Sequence, residues 1–231
     1  RGLITLEMMT VRAWQLFEAD GRRTEIFRSD LQNVEQLKPR IKDFPKSYNS
    51  LEGVHLHAEA AEIPLWVPFL RQLGNPFILW EPWQRDCVPE KREKMIEVLP
   101  QVDCISPNLE EARLLMGTEK INDILKKYIE YGAKRAVIRE GAEGSTYADA
   151  DGSFFKVPAV KVDRVVDHTG AGNAYCGGLV VGFVISDDIQ DALCMAAVSA
   201  SFALEQFGAI YPLDDIEKRA DERYCKCKRV M

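Results

Sequence analysis

Between Leu51 and Glu140 the chain alternates strand-like and helix-like segments, and this alternation limits the fold more than any other feature. "SLEGVHLHAE" holds a short strand ending near His57. "IPLWVPFLRQLG" reads as a helix, with proline at its start and Gly74 as its stop. "NPFILWEPW" is the next strand, "PEKREKMIEVLPQ" a helix, "VDCISPN" a strand, and "NLEEARLLMG" a helix closed by Gly117. "INDILKKYIEYGA" is a further helix, with Ile121, Ile124, Leu125, Tyr128 and Ile129 on one face, and "KRAVIRE" is a strand. Five alternations in about 90 residues call for a mostly parallel sheet covered by helices on both faces. In such sheets ligands bind at the carboxyl ends of the strands.

The flanking segments read differently. "TVRAWQLFEADGRRTEIFR", Thr10 to Arg28, is a β-hairpin turning at Asp20-Gly21. "STYADADGSFFKVPA" is a second antiparallel hairpin, turning at Asp151-Gly152. "VKVDRVVDHTG" then runs as a strand into a glycine turn. Two helices rich in small residues follow, "GNAYCGGLVVGFVIS" and "DIQDALCMAAVSASFALEQFG", both expected to pack closely on the sheet. The expected organisation is a hairpin over residues 1–30, an α/β domain over 31–222 and a tail over 223–231. The fold class is α/β, three layers, plus the N-terminal hairpin. The chain begins at Arg1 and reads as starting at an interior point of a longer protein.

With 231 residues and a formal net charge of −6, the chain has no cluster of basic residues to attract nucleic acid or an anionic membrane. No apolar run reaches the roughly 18 residues of a membrane span. Of the six cysteines, Cys87, Cys104, Cys176 and Cys194 stand isolated in apolar surroundings and read as buried thiols. Cys225 and Cys227 form a C-x-C pair in the tail with nothing upstream to complete a metal site. A reducing, cytoplasmic setting fits this usage.

The chemistry gathers at "VVDHTGAGNAYCGG", Val165 to Gly178. Gly170, Ala171 and Gly172 open a helix, where backbone N–H groups lack internal partners and the helix dipole is positive. Such a turn cradles phosphate; a tight turn with glycine for packing is the plainer alternative. "SPNLEEARLLMG" puts Asn108 at a helix start and Glu111 one turn on, either an N-cap with an acidic first turn or a pair of ligands on one face. His55, His57 and Glu59 of "HLHAE" alternate along a strand. The P-C-x-x-C partner of a zinc deaminase is missing, so they line or cap the ligand edge of the sheet. There is no Walker loop. Trp14, Trp66, Trp80 and Trp83 read as packing residues.

Taken together, Asp167, Gly170, Ala171, Gly172, Tyr175, Gly177 and Gly178 resemble the C-terminal signature of the PfkB family of carbohydrate kinases, which have the ribokinase-like fold. The resemblance covers roughly Val54 to Ile210. It implies ATP and Mg²⁺ as cofactors and a small sugar-like substrate. It makes Asn108 and Glu111 the family's N-x-x-E element, which holds Mg²⁺ through water. Arg139, Gly141 and Gly144 of "VIREGAEGS" fall on the strand and loop that contact the nucleotide, with Arg139 where Thr or Lys is usual. Gly208 and Ala209 fall beside the adenine, and Asp167 joins the nucleotide-binding set.

Two departures matter. The family's general base is an Asp, and Asn173 stands there; an amide cannot take a proton. A G-x-G-N ending is similar to one branch, the fungal "maintenance of killer" proteins and related eukaryotic PfkB-like proteins. The early sugar-binding Asp strand and G-G-N turn do not occur, and His168 replaces a small Thr. Two functions follow from the resemblance: slow phosphoryl transfer to a sugar or polyol hydroxyl, or an inactive pseudokinase acting as a nucleotide-binding scaffold. The hairpin would serve as a lid or as a homodimer contact.

Overall fold

A computed structural model describes residues 5–8, 11–17, 23–28, 35–208 and 215–231. The chain forms two compact units, Arg1–Asn49 and Ser50–Met231. In the first, β1 (Ala13–Phe17) pairs antiparallel with β2 (Arg23–Phe27), in a register that sets Trp14 opposite Ile26. The Asp20-Gly21 turn expected between them lies outside the described residues. Trp14, Leu16 and Ile26 share one face by the two-residue period, and all three are exposed.

The second unit is built on a six-stranded sheet in the order β3-β4-β5-β6-β7-β8. β3 (Gly53–Ala58), β4 (Phe77–Pro82), β5 (Cys104–Ile105) and β6 (Arg135–Arg139) run parallel. β7 (Ser145–Asp149) and β8 (Phe154–Val157) continue the sheet antiparallel, joined by a turn in which Gly152 takes φ +91°. Parallel neighbours need crossovers, and helices supply them. They are α1 (Ile63–Arg71), α2 (Arg92–Val98), α3 (Leu109–Met116) and α4 (Ile121–Glu130). The mixed, mostly parallel sheet with helices is the expected α/β architecture. The helix expected over "PEKREKMIEVLPQ" is helical only at its centre, with 3₁₀ turns at Pro89–Lys91 and Leu99–Gln101.

Side chains alternate across the strands, and both faces are buried. Ile78, Trp80, Ile105, Ala136 and Ile138 face one side, each fully buried. Leu79, Cys104, Val137 and Tyr147 face the other, against Tyr175, Cys176, Leu179 and Val180 of α5 (Ala171–Ile185). The same alternation sends His55, His57, Glu81 and Arg139 to the α5 face. Below, the helix covers apolar residues; at the carboxyl ends of the strands, its first turn covers charges.

α5 packs on the sheet and, more extensively, on α6 (Ile189–Ala203). A Cβ at Gly178 would stand 2.7 Å from Ser199 Cβ, and one at Gly182 would collide with Ala192. Small residues in both helices let the backbones approach this far.

Three expectations are corrected. The segment before the glycine turn is not a strand: Val166 N–H and Asp167 N–H both donate to Leu204 O, at 2.7 and 3.3 Å, instead of joining the sheet. The α6 helix stops at Ala203 and does not run on to Gly208. The presumed tail from residue 223 is the second half of α7 (Ile216–Arg229). It is tied to α6 by Tyr224 donating to Asp191 (2.5 Å), by Lys228 to Asp191 (2.7 Å) and by Arg223 to Glu205 (2.7 Å), the last just beyond the end of α6. Cys227 is buried there while Cys225 is exposed, so the C-x-C pair is split between core and solvent. No helix among the described residues is long and apolar enough to cross a membrane.

Candidate active site

The first turn of α5 stands over the carboxyl ends of the parallel strands. Asp167 Oδ1 accepts the Thr169 N–H at 2.9 Å, a contact that also lowers the carboxyl's pKa below the usual range. Gly170 then takes φ +84°, a left-handed conformation open to glycine at little cost, and the helix begins. Ala171 N–H folds back to His168 O at 3.3 Å, and Ala174 N–H makes the first helical bond, to Gly170 O at 2.9 Å. Between them, the N–H groups of Gly172 and Asn173 have no acceptor among the described residues. Asn173 is exposed. This is the geometry of an anion cradle.

Under the cradle lies a buried ionic cluster. Glu81, at the end of β4, is 6% exposed. Its Oε2 pairs with His55 Nε2 at 2.8 Å, and its Oε1 with Arg139 Nη2 at 2.7 Å. His57 Nδ1 is 3.8 Å away and stacks on Trp83, with ring centroids 5.7 Å apart. Burial raises the Glu81 pKa, but the His55 hydrogen bond and the Arg139, His55 and His57 charges outweigh it and bring the carboxyl down to about 2. Burial lowers the pKa of His57 against the pull of Glu81. Arg139 reaches Glu111 Oε2 at 4.0 Å, and its guanidinium touches Gly172 so closely that a Cβ there would collide with Nη1.

Asn108 and Glu111 join the same edge. Asn108 forms a parallel bridge with Arg139, and Arg139 N–H donates to Pro107 O at 3.1 Å. The two side chains form a reciprocal capping box: Glu111 N–H donates to Asn108 Oδ1 at 2.8 Å, and Asn108 N–H to Glu111 Oε2 at 2.9 Å. With those oxygens engaged by backbone, a cation at this corner would be met through water. Mg²⁺, which gives up its waters reluctantly, suits such a site.

His55, Glu81 and Cys176 place ligand atoms within 4.8 Å of one another. A metal there competes with what is present: the Arg139 guanidinium already occupies the cation's place beside Glu81. Burial also pushes the Cys176 thiol up to about 12, leaving it neutral and a weak ligand. The H-x-H-x-E trio breaks at its end. β3 stops at Ala58, and Glu59 turns away to bond with Glu62 and to pair with Arg85.

The expected site residues therefore fall into two groups. Gly170, Ala171, Gly172, Asn173, Asn108, Glu111 and Arg139 converge through the contacts above, and Asp167 leads into the turn. Gly141 and Gly144 close a turn after β6, with φ +62° and +94°, and Gly144 lies against the Val157–Ala159 backbone. Gly208, at φ +83°, has nothing within 4 Å of its Cβ position. Among the described contacts, none joins these three to the cluster. Sequence reasoning missed Glu81 and the hydrogen bond of 2.7 Å between Tyr175 OH and Ser145 Oγ that fixes the α5 turn to β7. The signal for Glu81 was a lone carboxylate in the apolar run "FILWEPW".

The chain is 33% identical over 118 residues to a ribokinase of Lactococcus lactis, covering 51% of this chain and 37% of that protein. It is 25% identical over 206 residues to a nucleoside kinase of Methanocaldococcus jannaschii, covering 87% of this chain and 63% of that one. It thus spans well under two thirds of the first relative and slightly under two thirds of the second. A crystal structure of Vibrio cholerae fructokinase with fructose, ADP and calcium superposes with a TM-score of 0.67 at 21% identity, over 87% of this chain and 70% of that one. The family model for pfkB carbohydrate kinases matches residues 71–216, more than half of the chain. The chain belongs to the pfkB family of carbohydrate kinases.

Proposed function

We propose that this chain binds ATP with Mg²⁺ and transfers the γ-phosphoryl group, slowly, to a hydroxyl of a sugar, polyol or nucleoside. The observation that carries the reading is the pair of unengaged N–H groups at Gly172 and Asn173, at a helix start beside Asn108, Glu111 and Arg139. The N–H groups would stabilise charge developing on the transferred phosphoryl. Asn108 and Glu111 would hold Mg²⁺ through water, and the metal would neutralise phosphate charge. Gly141, Gly144 and Gly208 would line the nucleotide on the flank, with Asp167 ordering the entry turn. The relatives' names, ribokinase, nucleoside kinase and fructokinase, support a small hydroxylated acceptor.

Asn173 sets the rate. In this reading it stands where the family's base Asp would be, as in the "maintenance of killer"-like branch. It accepts or donates a hydrogen bond to the acceptor hydroxyl but takes no proton. A positioned base contributes about 10²–10⁴ in rate. Phosphoryl transfer relies more on positioning and charge. That same residue favours the second reading, a pseudokinase that binds nucleotide as a regulatory or scaffold protein. The six free cysteines support a reducing, cytoplasmic setting, and the exposed Trp14, Leu16 and Ile26 face is the surface offered for a homodimer.

ATP turnover with a panel of sugars, polyols and nucleosides tests the choice. Asn173→Asp raises it about tenfold or more if only the base is missing. Unchanged turnover with intact nucleotide binding identifies the scaffold.

A further inference from the structure

We infer that Arg139 is a positioning residue of the phosphate cradle: its buried guanidinium charges the first turn of α5 from the flank and never becomes a phosphate ligand. The inference rests on the function proposed above and concerns how that site is charged.

The geometry has three parts. First, the guanidinium is in contact with the turn itself, because Nη1 fills the space a Cβ of Gly172 would need. Helical N–H groups point along the axis, out of the helix start, whereas a Cβ points mainly outward from the axis, with a tilt toward the helix start. An anion on the Gly172 and Asn173 N–H groups therefore meets the end of the turn, while Arg139 stands at its side. Second, the guanidinium is held. Glu81 Oε1 lies 2.7 Å from Nη2, and Glu81 is itself held by His55 at 2.8 Å. Only 12% of the Arg139 side chain is exposed, so it has little freedom to swing out to a ligand. Third, its hydrogen-bonding capacity is not used up. Nε is buried and has no acceptor among the described residues.

Glu81 and Glu111 oppose this charge, and distance decides the balance. Glu81 Oε1 would stand 3.9 Å from a Gly172 Cβ and Glu111 is not among the atoms nearest that position, whereas the guanidinium is in direct contact with the turn. The interaction falls with distance, so the charge in contact with the turn acts on it more strongly than the carboxylate behind it. A guanidinium suits the task. It stays charged at any working pH, and its planar fork serves Glu81 and the turn together.

An electrostatic role differs from a packing role in how it depends on ligand charge. The test is calorimetric titration of the full chain with ATP, ADP and AMP in the presence of Mg²⁺. Arg139→Gln is expected to weaken ATP about tenfold, ADP less and AMP within about twofold. Arg139→Lys, which keeps the charge, is expected to stay within about threefold of the parent for ATP. Because Arg139→Gln strands Glu81, the double variant Arg139→Gln/Glu81→Gln removes the pair together and is expected to keep the same order of losses, ATP over ADP over AMP, each smaller than in the single variant because the opposing carboxylate goes too. Equal losses for all three nucleotides, or none in either variant, would overturn the inference and leave Arg139 a packing residue. Failure of the parent chain to bind ATP would overturn the function on which it rests, a result separate from the graded series.

Discussion

Gly172 and Arg139 are fitted to each other: the guanidinium occupies the space that any side chain at residue 172 would need. The backbone of Gly172 is ordinary helix, so conformational freedom is not what requires glycine there. Gly172→Ala should therefore act through Arg139, pushing it off Glu81 and destabilising the fold by about 1–3 kcal/mol. In Arg139→Gln, where the group is shorter, the same Ala should cost clearly less. A double-mutant cycle by chemical denaturation reads the coupling, and additive effects would show that the contact is not the cause.

Glu81 makes stability depend on acid. Its folded pKa, about 2, lies below the ordinary 4.5. A lowered carboxyl pKa adds stability that is complete above pH 4.5 and is lost as pH falls toward 2. The full contribution is about 3 kcal/mol, of which about 2 kcal/mol disappears between pH 5 and pH 3. Unfolding free energies of the parent chain and of Glu81→Gln at those two pH values should differ by that slope. Glu81→Gln should also be less stable at pH 7, by about 3–5 kcal/mol, because Arg139 is left buried and unpaired. Parallel pH curves would show that Glu81 titrates normally.

Asn108 caps α3 whatever else it does. Asn108→Ala should cost about 1 kcal/mol by removing the acceptor of the Glu111 N–H, and Asn108→Asp should keep the cap and hence the stability. Nucleotide binding divides the roles. If Asn108 only caps, both variants bind MgATP as the parent does; the proposed role predicts a weaker Mg²⁺ dependence for Asn108→Ala alone.

The α5–α6 contact depends on Gly182, where a Cβ would collide with the Ala192 backbone. Gly182→Ala should lower stability by about 1–3 kcal/mol. A thermal midpoint equal to that of the parent would mean that the helices separate freely.

Much of this was legible in the chain itself, for identifiable reasons. Caps and stops mark helices: Asn108 with Glu111 opens α3, and Gly117 in the left-handed conformation closes it. The apolar face of α4 shows in its spacing, and Ile124, Leu125 and Tyr128 are buried. The order of Asn108, Glu111, Gly170 and Gly172 pointed to the same site. What stayed hidden depends on partners remote in sequence. α7 looks like a tail because few of its residues are apolar; salt bridges and hydrogen bonds to α6 and the residues after it hold it in place. Arg139 reads from the sequence as part of the strand and loop that contact the nucleotide, and its ion pair with Glu81, 58 positions earlier in the chain, shows only in the structure. The His55 and His57 alternation was real, but the strand ends before Glu59 can follow them.

The central claim is that the first turn of α5 holds nucleotide phosphate. Titration of the chain with MgATP, alongside adenosine, tests it most directly. The account predicts one saturable MgATP site whose affinity comes from the phosphates, so that adenosine binds at least about tenfold more weakly. No MgATP binding, or equal affinity for adenosine, would contradict it.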